Sequence, residues 1–543
     1  MDIKTIINRY EQAKTKRQPY ETLWQDICDY IMPTRSFTKT HSPGENRNGL
    51  ILDNSGGQAH EELSGGLHGM LTGEAIKWFT LGLEDDDTPD DEATRWLDIA
   101  GRMMLARAYN NPASNFGSAA HEVYLETTLL GTTALFQRRA RGSAVPCRFQ
   151  AVSLSQIYIE EGADGKVNTL YRCRDDVTVS QLIETFGIDR VSKKTRDDYQ
   201  KDPHKIVKVL HAVFPRNVYD PRKSQTSNKD MPFASFYIEI DSEHVLEESG
   251  YQEFPYHVPR WKKQSGDLYG MGQGYVALPD VKMLQAMMQT TIEAGQLSVR
   301  PPLQVPDEGF LTPISWAPNA LNYYRTGRLG PDDRIQPIET GARPDFGEEM
   351  MQGVRERIRS AFFVDWLRLP QRPDMTATEV LQRRNDIMRL LSPMLGRMQS
   401  ELLGPMIDRT FNIMMDEGLF PKPPESLQGK QIKVVYQSPI SQAQRSGELE
   451  GIMQTYGFMG QLAQIDQSVL AYAKSGEALR QIGILSGAPL NVIATDDEAQ
   501  QKLEQQQQAQ QAQAETAMAQ QAAAAAKDGA QAIDTIQKAQ AGA

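Results

Sequence analysis

The sequence predicts a predominantly helical α+β protein, and three observations carry that prediction. Two long segments near the middle, 279–300 and 346–368, repeat apolar residues at three- and four-residue steps. Before them, residues 1–260 switch between helical spacing and short alternating runs bounded by Gly, Pro and Asp. After them the chain is again helical in period, and from Glu498 it collapses to Gln and Ala. At 543 residues it can bury a large core and form two to four domains.

In chain order, residues 3–32 read as a helix, interrupted near Pro19 and stopped by Pro33. A polar loop, 34–50, carries Pro43 and Gly44. Asn54 to Thr72 reads as a small-residue helix with Ala59, Leu63, Leu67 and Met70 on one face, its glycines suited to close helix packing. Ile76 to Leu83 reads as a strand, followed by a carboxylate run from Glu84 to Glu92. Thr94 to Asn110 and Ser118 to Leu130 are helical, and short strands fill Thr132 to Cys173 around a turn at Gly162 to Gly165. Thr178 caps a helix reaching Phe186, and Ile206 to Phe214 is a strand. Asp220 to Pro232 is a polar loop, and Ser235 to Ile240 pairs with His244 to Glu248 across Asp241 and Ser242.

The first rod follows Gly270, Gly272 and Gly274. Pro279 suits the first helical position, and Val281, Leu284, Met288, Ile292 and Gly295 form one narrow stripe up to Pro301 and Pro302. The second rod carries Phe346, Met350, Val354, Ile358, Ala361, Phe362 and Trp366, closed by Pro370. Between them lies a non-helical tip, Leu303 to Pro344. A loop, Leu369 to Asp374, contains two prolines, and Thr376 to Glu379 reads as a capping box. That box opens a long helix to about Glu417, kinked by Pro393 and Pro405. Ile432 to Tyr436 is a strand and Gln442 to Leu485 mostly helix. The tail from Glu498 has almost no apolar face, so a frayed helix or disorder is expected.

The composition excludes several classes. A net charge of −12 argues against a conventional high-affinity nucleic-acid binder. Cys28, Cys147 and Cys173 show no pairing rhythm and no metal spacing, which suits a reducing compartment. Met1 to Lys4 begins no basic-then-apolar signal pattern and no segment is apolar enough to span a bilayer, so residence in the cytoplasm where it is made is expected. No catalytic constellation is found. His60-Glu61 and His121-Glu122 lack the second histidine of a zinc-protease helix, and Ser64-Gly65-Gly66 is not a nucleophile elbow. The eight histidines are dispersed and read as packed or surface residues. The Glu84–Glu92 run reads as solvated surface, with a divalent cation as the alternative. Gly270 to Gly274 reads as a backbone turn, with a phosphate loop as the alternative. Neither a cofactor nor a metal is expected, and the protein reads as architectural, not enzymatic.

One ordered set of motifs is more specific than any of these. Gly270 to Lys282, Pro301-Pro302-Leu303 and Met375 to Val380 resemble the portal, or head-to-tail connector, proteins of short-tailed bacteriophages. So do Arg9-Tyr10, Trp24 to Pro33, Asp53 to Ser55, Leu63 to Thr72, Trp78-Phe79, Arg260-Trp261 and Ser438 to Ser441. The resemblance runs from about residue 5 to 495; Met271 and Gln273-Gly274 depart from it, where an Arg and a Pro nearby are expected.

It implies a wing (1–260 with 380–440), a stem (261–300 and 346–368), a clip (301–345), a tunnel loop (369–376) and a crown (441–497) before the Gln/Ala tail. It further implies a ring of twelve copies at one capsid vertex of the virion, assembled in the host cytoplasm. Double-stranded DNA would pass through the channel without sequence preference during packaging and ejection. The implied partners are the terminase motor, tail adaptor or nozzle proteins, major capsid and scaffolding proteins, and internal ejection proteins at the crown. In such a ring Leu284, Met288, Ile292, Val354, Ile358 and Phe362 are expected to pack between subunits. Arg372, Arg368, Arg383 and Arg384 would face DNA, with pairing of Arg368 to Asp365 or Asp374 as its alternative. Trp316, Tyr323, Tyr324 and Arg325 would dock the motor and tail, with filling of the tip's own core as the alternative for Trp316 and the tyrosines. Two rival readings are a nucleotide-using enzyme built on Gly270 to Gly274 and a monomeric helical scaffold or adaptor.

Overall fold

The computed structural model describes residues 2–37, 44–74, 76–83, 91–217, 228–299, 303–304, 336–337, 344–367, 391–427, 429–430, 432–436 and 439–486, with isolated tail positions. The chain forms two compact units, Met1–Trp78 with Arg102–Phe420, and Phe79–Gly101 with Pro421–Ala543.

In the first unit α1 (Ile3–Ile31) runs unbroken through Pro19 instead of being interrupted there. Anchors on both sides outweigh the roughly 3 kcal/mol that a helix proline costs. Tyr10 and Trp24 are buried, and the Arg17 guanidinium donates to the carbonyls of Leu154 and Ile157 at 2.8 and 2.9 Å while lying over the Tyr158 ring. α2 (Ser55–Leu71) buries Ala59, Leu63 and Leu67.

The main sheet is an antiparallel meander of β4 (Ile157–Glu161), β5 (Val167–Thr178), β6 (Ile206–Pro215), β7 (Phe233–Glu239) and β8 (His244–Tyr251). Tyr158, Tyr171, Leu210 and Phe236 cluster with Ile6, Tyr10 and Ala13 of α1. Val177, Val209 and Leu246 cluster with Leu182 of α5 (Val179–Phe186), whose cap is the expected Thr178, in a reciprocal box with Gln181. α6 (Lys193–Lys201) has too polar a sequence to announce itself; Ser192 caps it, and Thr195 donates to buried Glu239 at 2.8 Å. A second sheet orders β3 (Cys147–Val152), β2 (Ala134–Arg139) and β9 (Tyr256–His257), beside α4 (Phe116–Leu130).

The rods are α7 (Gln273–Val299) and α8 (Pro344–Ala361), which pack on each other. α7 begins at Gln273, so Pro279 lies inside it and not at its first position. The carbonyl that this proline leaves without a helical partner belongs to Tyr275, a residue 47% exposed, where water can replace the lost donor. Beyond the rods, β10 (Leu303–Gln304) pairs antiparallel with β11 (Gln336–Pro337), so the two ends of the tip run together. A single turn, α9 (Val364–Leu367), follows α8. Residues 391–398 are helical (α10), then a π turn, Gln399–Leu403, leads into α11 (Gly404–Asp416) with Pro405 in its first turn. The widened turn sits where Pro405 has no N–H to offer, which is how the helix absorbs it.

In the second unit β1 (Phe79–Leu83) pairs antiparallel with β12 (Ile432–Tyr436), from Phe79 opposite Tyr436 to Leu83 opposite Ile432. The strand expected from Ile76 thus begins at Phe79. α3 (Asp91–Met104) carries Trp96, whose indole N–H donates to the Pro421 carbonyl at 3.0 Å. α12 (Pro439–Ala463) and α13 (Ser475–Ser486) pack together across a short 3-10 segment.

Candidate functional site

The first rod, α7, roots in the body through glycine. At the C-terminal end of α4, Gly131 adopts φ +97°, the left-handed region that glycine enters without strain. Its carbonyl accepts from the Trp261 amide at 2.8 Å, and the Gly270 amide donates to Thr132 Oγ1 at 2.8 Å. A Cβ at Gly270 would lie 2.5 Å from the Gly131 oxygen, and one at Gly272 would lie 2.1 Å from the Leu129 oxygen. At Gly274 it would meet Ile27 Cγ2 at 2.6 Å. The space that a phosphate would need is therefore filled by the chain's own backbone. The three glycines are a packing seam, and the expected turn is shorter than Gly270 to Gly274 because Gln273 and Gly274 already belong to α7.

Above this seam a polar clamp joins both rods to the segment before α2. Gln285 Oε1 accepts from the amides of Leu52 and Asp53 at 2.7 and 2.9 Å, and its Nε2 donates to the Asp53 carbonyl at 2.7 Å. Arg355 Nε donates to Asp53 Oδ2 at 2.9 Å, and Arg355 also pairs with Glu348. Burial works against the Asp53 carboxylate, yet the bonds from Ser55 and Arg355 hold it below the usual range. In the sequence Gln285 is one polar residue among several on a rod. No local signal distinguishes it, because its partners lie far earlier in the chain.

A second hub is Arg260, 1% exposed, which binds Glu401 of the π turn, Glu161 of β4 and the Gly165 carbonyl. Burial opposes its charge, but Glu401 and Glu161 more than compensate. Lys263 shares Glu161. The buried histidines are satisfied, not free ligands: His60 bonds the Leu125 carbonyl, His211 sits between Tyr256 and Ser235, and His257 meets Gln137.

The apolar stripes divide along the rods. Leu284, Val354, Ile358 and Phe362 are at most 3% exposed and covered by their own chain, with His60 of α2 against Phe362. A side chain covered in this way has no surface for a neighbour, which corrects the expectation that these four face another subunit. Met288 is half-buried and Ile292 is 44% exposed, so the two remain available. The outer half adds Val299, Phe346 and Met350, all more than half exposed. Arg368, Arg372, Arg383 and Arg384 lie outside the described residues, as do Trp316, Tyr323, Tyr324 and Arg325, the Glu84–Asp90 carboxylates and the capping box at Thr376. Among the described residues no cluster of His, Cys, Asp and Glu could hold a metal ion, and no helix is long and apolar enough to cross a membrane.

The family model for the bacteriophage head to tail connecting protein matches residues 3–493. The chain belongs to that family. It is 32% identical over 483 residues to the probable portal protein of Bordetella phage BPP-1, covering 86% of this chain and 84% of that one. It is 30% identical over 513 residues to the portal protein of Salmonella phage epsilon15, covering 92% and 90%. Among solved structures, a chain from the virion of a native gene transfer agent particle aligns at 13% identity and a TM-score of 0.39, over 85% of this chain and 99% of that one. The head-to-tail connector is accordingly a portal-type component of a phage particle, and its fold is α+β and mostly helical.

Proposed function

We propose that this connector assembles as a closed ring, twelve copies by family resemblance, whose rods line a passage for double-stranded DNA. The observation that carries the reading is the divided stripe. The stripe residues Leu284, Val354, Ile358 and Phe362 are covered within the chain, while Ile292, Val299, Phe346 and Met350 stay exposed. Exposed large apolar residues gathered on one element mark an interaction surface, and a ring covers them by repeating one contact. The acidic balance of −12 suits a passage through which DNA slides, because each phosphate neutralised by a cation releases counterions and adds grip.

On this reading the ring stands at one capsid vertex, and the tip between β10 and β11 docks the packaging motor and later the tail. The loop with Arg372 lies against phosphates. The nucleotide-enzyme rival is disfavoured by the filled glycine seam, and a monomeric adaptor by the exposed outer stripe. Light scattering on pure protein tests the assembly: twelve copies of the 60.9 kDa chain amount to about 731 kDa. A stable species near 61 kDa at micromolar concentration and physiological salt would refute it. Rings carrying Arg372→Glu should assemble but retain less DNA. Tyr324→Ala or Arg325→Ala should leave rings intact and weaken motor binding.

A further inference from the structure

The π turn that carries Glu401 also shapes a cavity of about 450 Å³, a size that takes a small molecule. Pro393, Arg397 and Ser400 recur at four- and three-residue steps, so one face of α10 and its π turn forms the first wall. Gly396 leaves open space on that wall, since even a Cβ there would meet nothing within 4 Å. The hairpin turn between β4 and β5 brings Lys166 to a second side, and Lys263, beyond β9, stands on a third.

The Arg260 hub borders the cavity, and the charges within that hub cancel. Glu401 Oε2 accepts from the Arg260 amide and Nε at 3.0 and 3.1 Å, and its Oε1 accepts from Nη2 at 2.6 Å. Glu161 Oε1 accepts from both Arg260 and Lys263. These two carboxylates are spent on cations, which leaves a surplus of donors at the rim. Lys166 is exposed and, among the described residues, makes no ion pair. Arg397 gives Glu401 a single bond from Nη1 at 3.2 Å, and the rest of its fork is uncommitted. Opposing them is Asp164, whose Oδ1 accepts from the Lys166 amide at 3.1 Å and so folds over its own turn. In a chain of net charge −12, cations gathered on one cavity without enough carboxylates to match them call for an anion. A guanidinium fork and ammonium groups are the donors that hold phosphate oxygens. Donors arriving from three sides fit the tetrahedral oxygens of a phosphate better than the flat pair of a carboxylate.

We propose that this cavity binds a phosphate group, carried by a free phosphate compound or by a DNA strand, with Arg397, Lys166 and Lys263 as its donors. These residues belong to one compact unit of one chain, so the site stands whether or not copies assemble.

Calorimetric titration of the full-length protein with pyrophosphate tests the site. Pyrophosphate should bind saturably, and Lys166→Gln and Arg397→Gln should each weaken it about tenfold, through loss of one charge-assisted hydrogen bond. Arg397 also touches Glu401, so the Lys166 variant, which removes no contact of the fold, decides between ligand binding and a structural effect. Lys422→Gln removes an exposed charge from the other unit and should bind as the parent does. A short DNA duplex added as competitor then separates the two sources. Displacement of pyrophosphate assigns the site to strand phosphates, and undisturbed binding assigns it to free phosphate compounds. No saturable binding up to millimolar pyrophosphate would overturn the proposal. Full-strength binding by Lys166→Gln, or equal weakening by Lys422→Gln, would overturn it as well.

Discussion

The inner and outer parts of the rods' apolar stripes differ in burial although they are written in one sequence period. Leu284, Val354, Ile358 and Phe362 at the inner end are sealed by α2, α4 and the clamp around Gln285. Ile292, Phe346 and Met350 at the outer end belong to the same helices and stay in solvent. Periodicity states that a helix has an apolar face; it does not state which chain will cover it. The difference separates residues that hold one subunit together from residues free to hold subunits to each other.

The largest expected effect lies at the inner end. Phe362→Ala empties a fully buried site and should lower unfolding stability by about 3–5 kcal/mol, read from denaturant midpoints of the isolated chain. A loss near zero would erase the distinction between the halves. Gln285→Ala comes next. It strands the amides of Leu52 and Asp53, at a cost of about 1–3 kcal/mol, and should loosen both rods at once, seen as faster hydrogen exchange in α7 and α8.

Acid should act on the same inner end through His60. Burial and, to a lesser degree, His121 hold the His60 imidazole down at about 4, its Leu125 hydrogen bond notwithstanding. Below about pH 6.5 the unfolded chain then binds a proton that the folded chain refuses. This contribution is complete above that pH and drains away as acid is added toward 4. Between about pH 7.5 and 5 it amounts to about 2 kcal/mol, and His60→Gln should flatten that part of the stability profile. An unchanged slope would show that His60 is not the group titrating there.

The smallest effect on stability belongs to the outer end. Phe346→Ser should move the unfolding midpoint of the isolated chain by no more than about 0.5 kcal/mol, while the assembled mass falls toward that of single chains. The pairing of a silent midpoint with a lost ring sharpens the comparison most.

Much of the fold was legible because its signals are local. The Thr178 cap, the hairpin across Asp241 and Ser242, the Ile432–Tyr436 strand and both rods each depend on residues close in sequence. Where the reading and the structure part, distant contacts decide. Pro19 stays helical because Arg17 is tied to β4 and the turn before it, and Pro279 because the glycine seam starts α7 six residues early. The pairing of β1 with β12 joins segments some 350 residues apart, and nothing in either strand names the other. The site was legible as a family likeness and as an apolar face. The clamps of Gln285 and Arg260 were not, because a buried polar residue and a solvated one are written with the same letters.

The glycine seam has a mechanical consequence. Where Gly270 and Gly272 meet Leu129 to Gly131, main chain comes directly against main chain. Side chains can change rotamer and act as a cushion, whereas peptide planes in contact cannot. A push along the rod therefore reaches α4 and the Trp261 segment undamped. The root of α7 is therefore a stiffer joint than one cushioned by side chains.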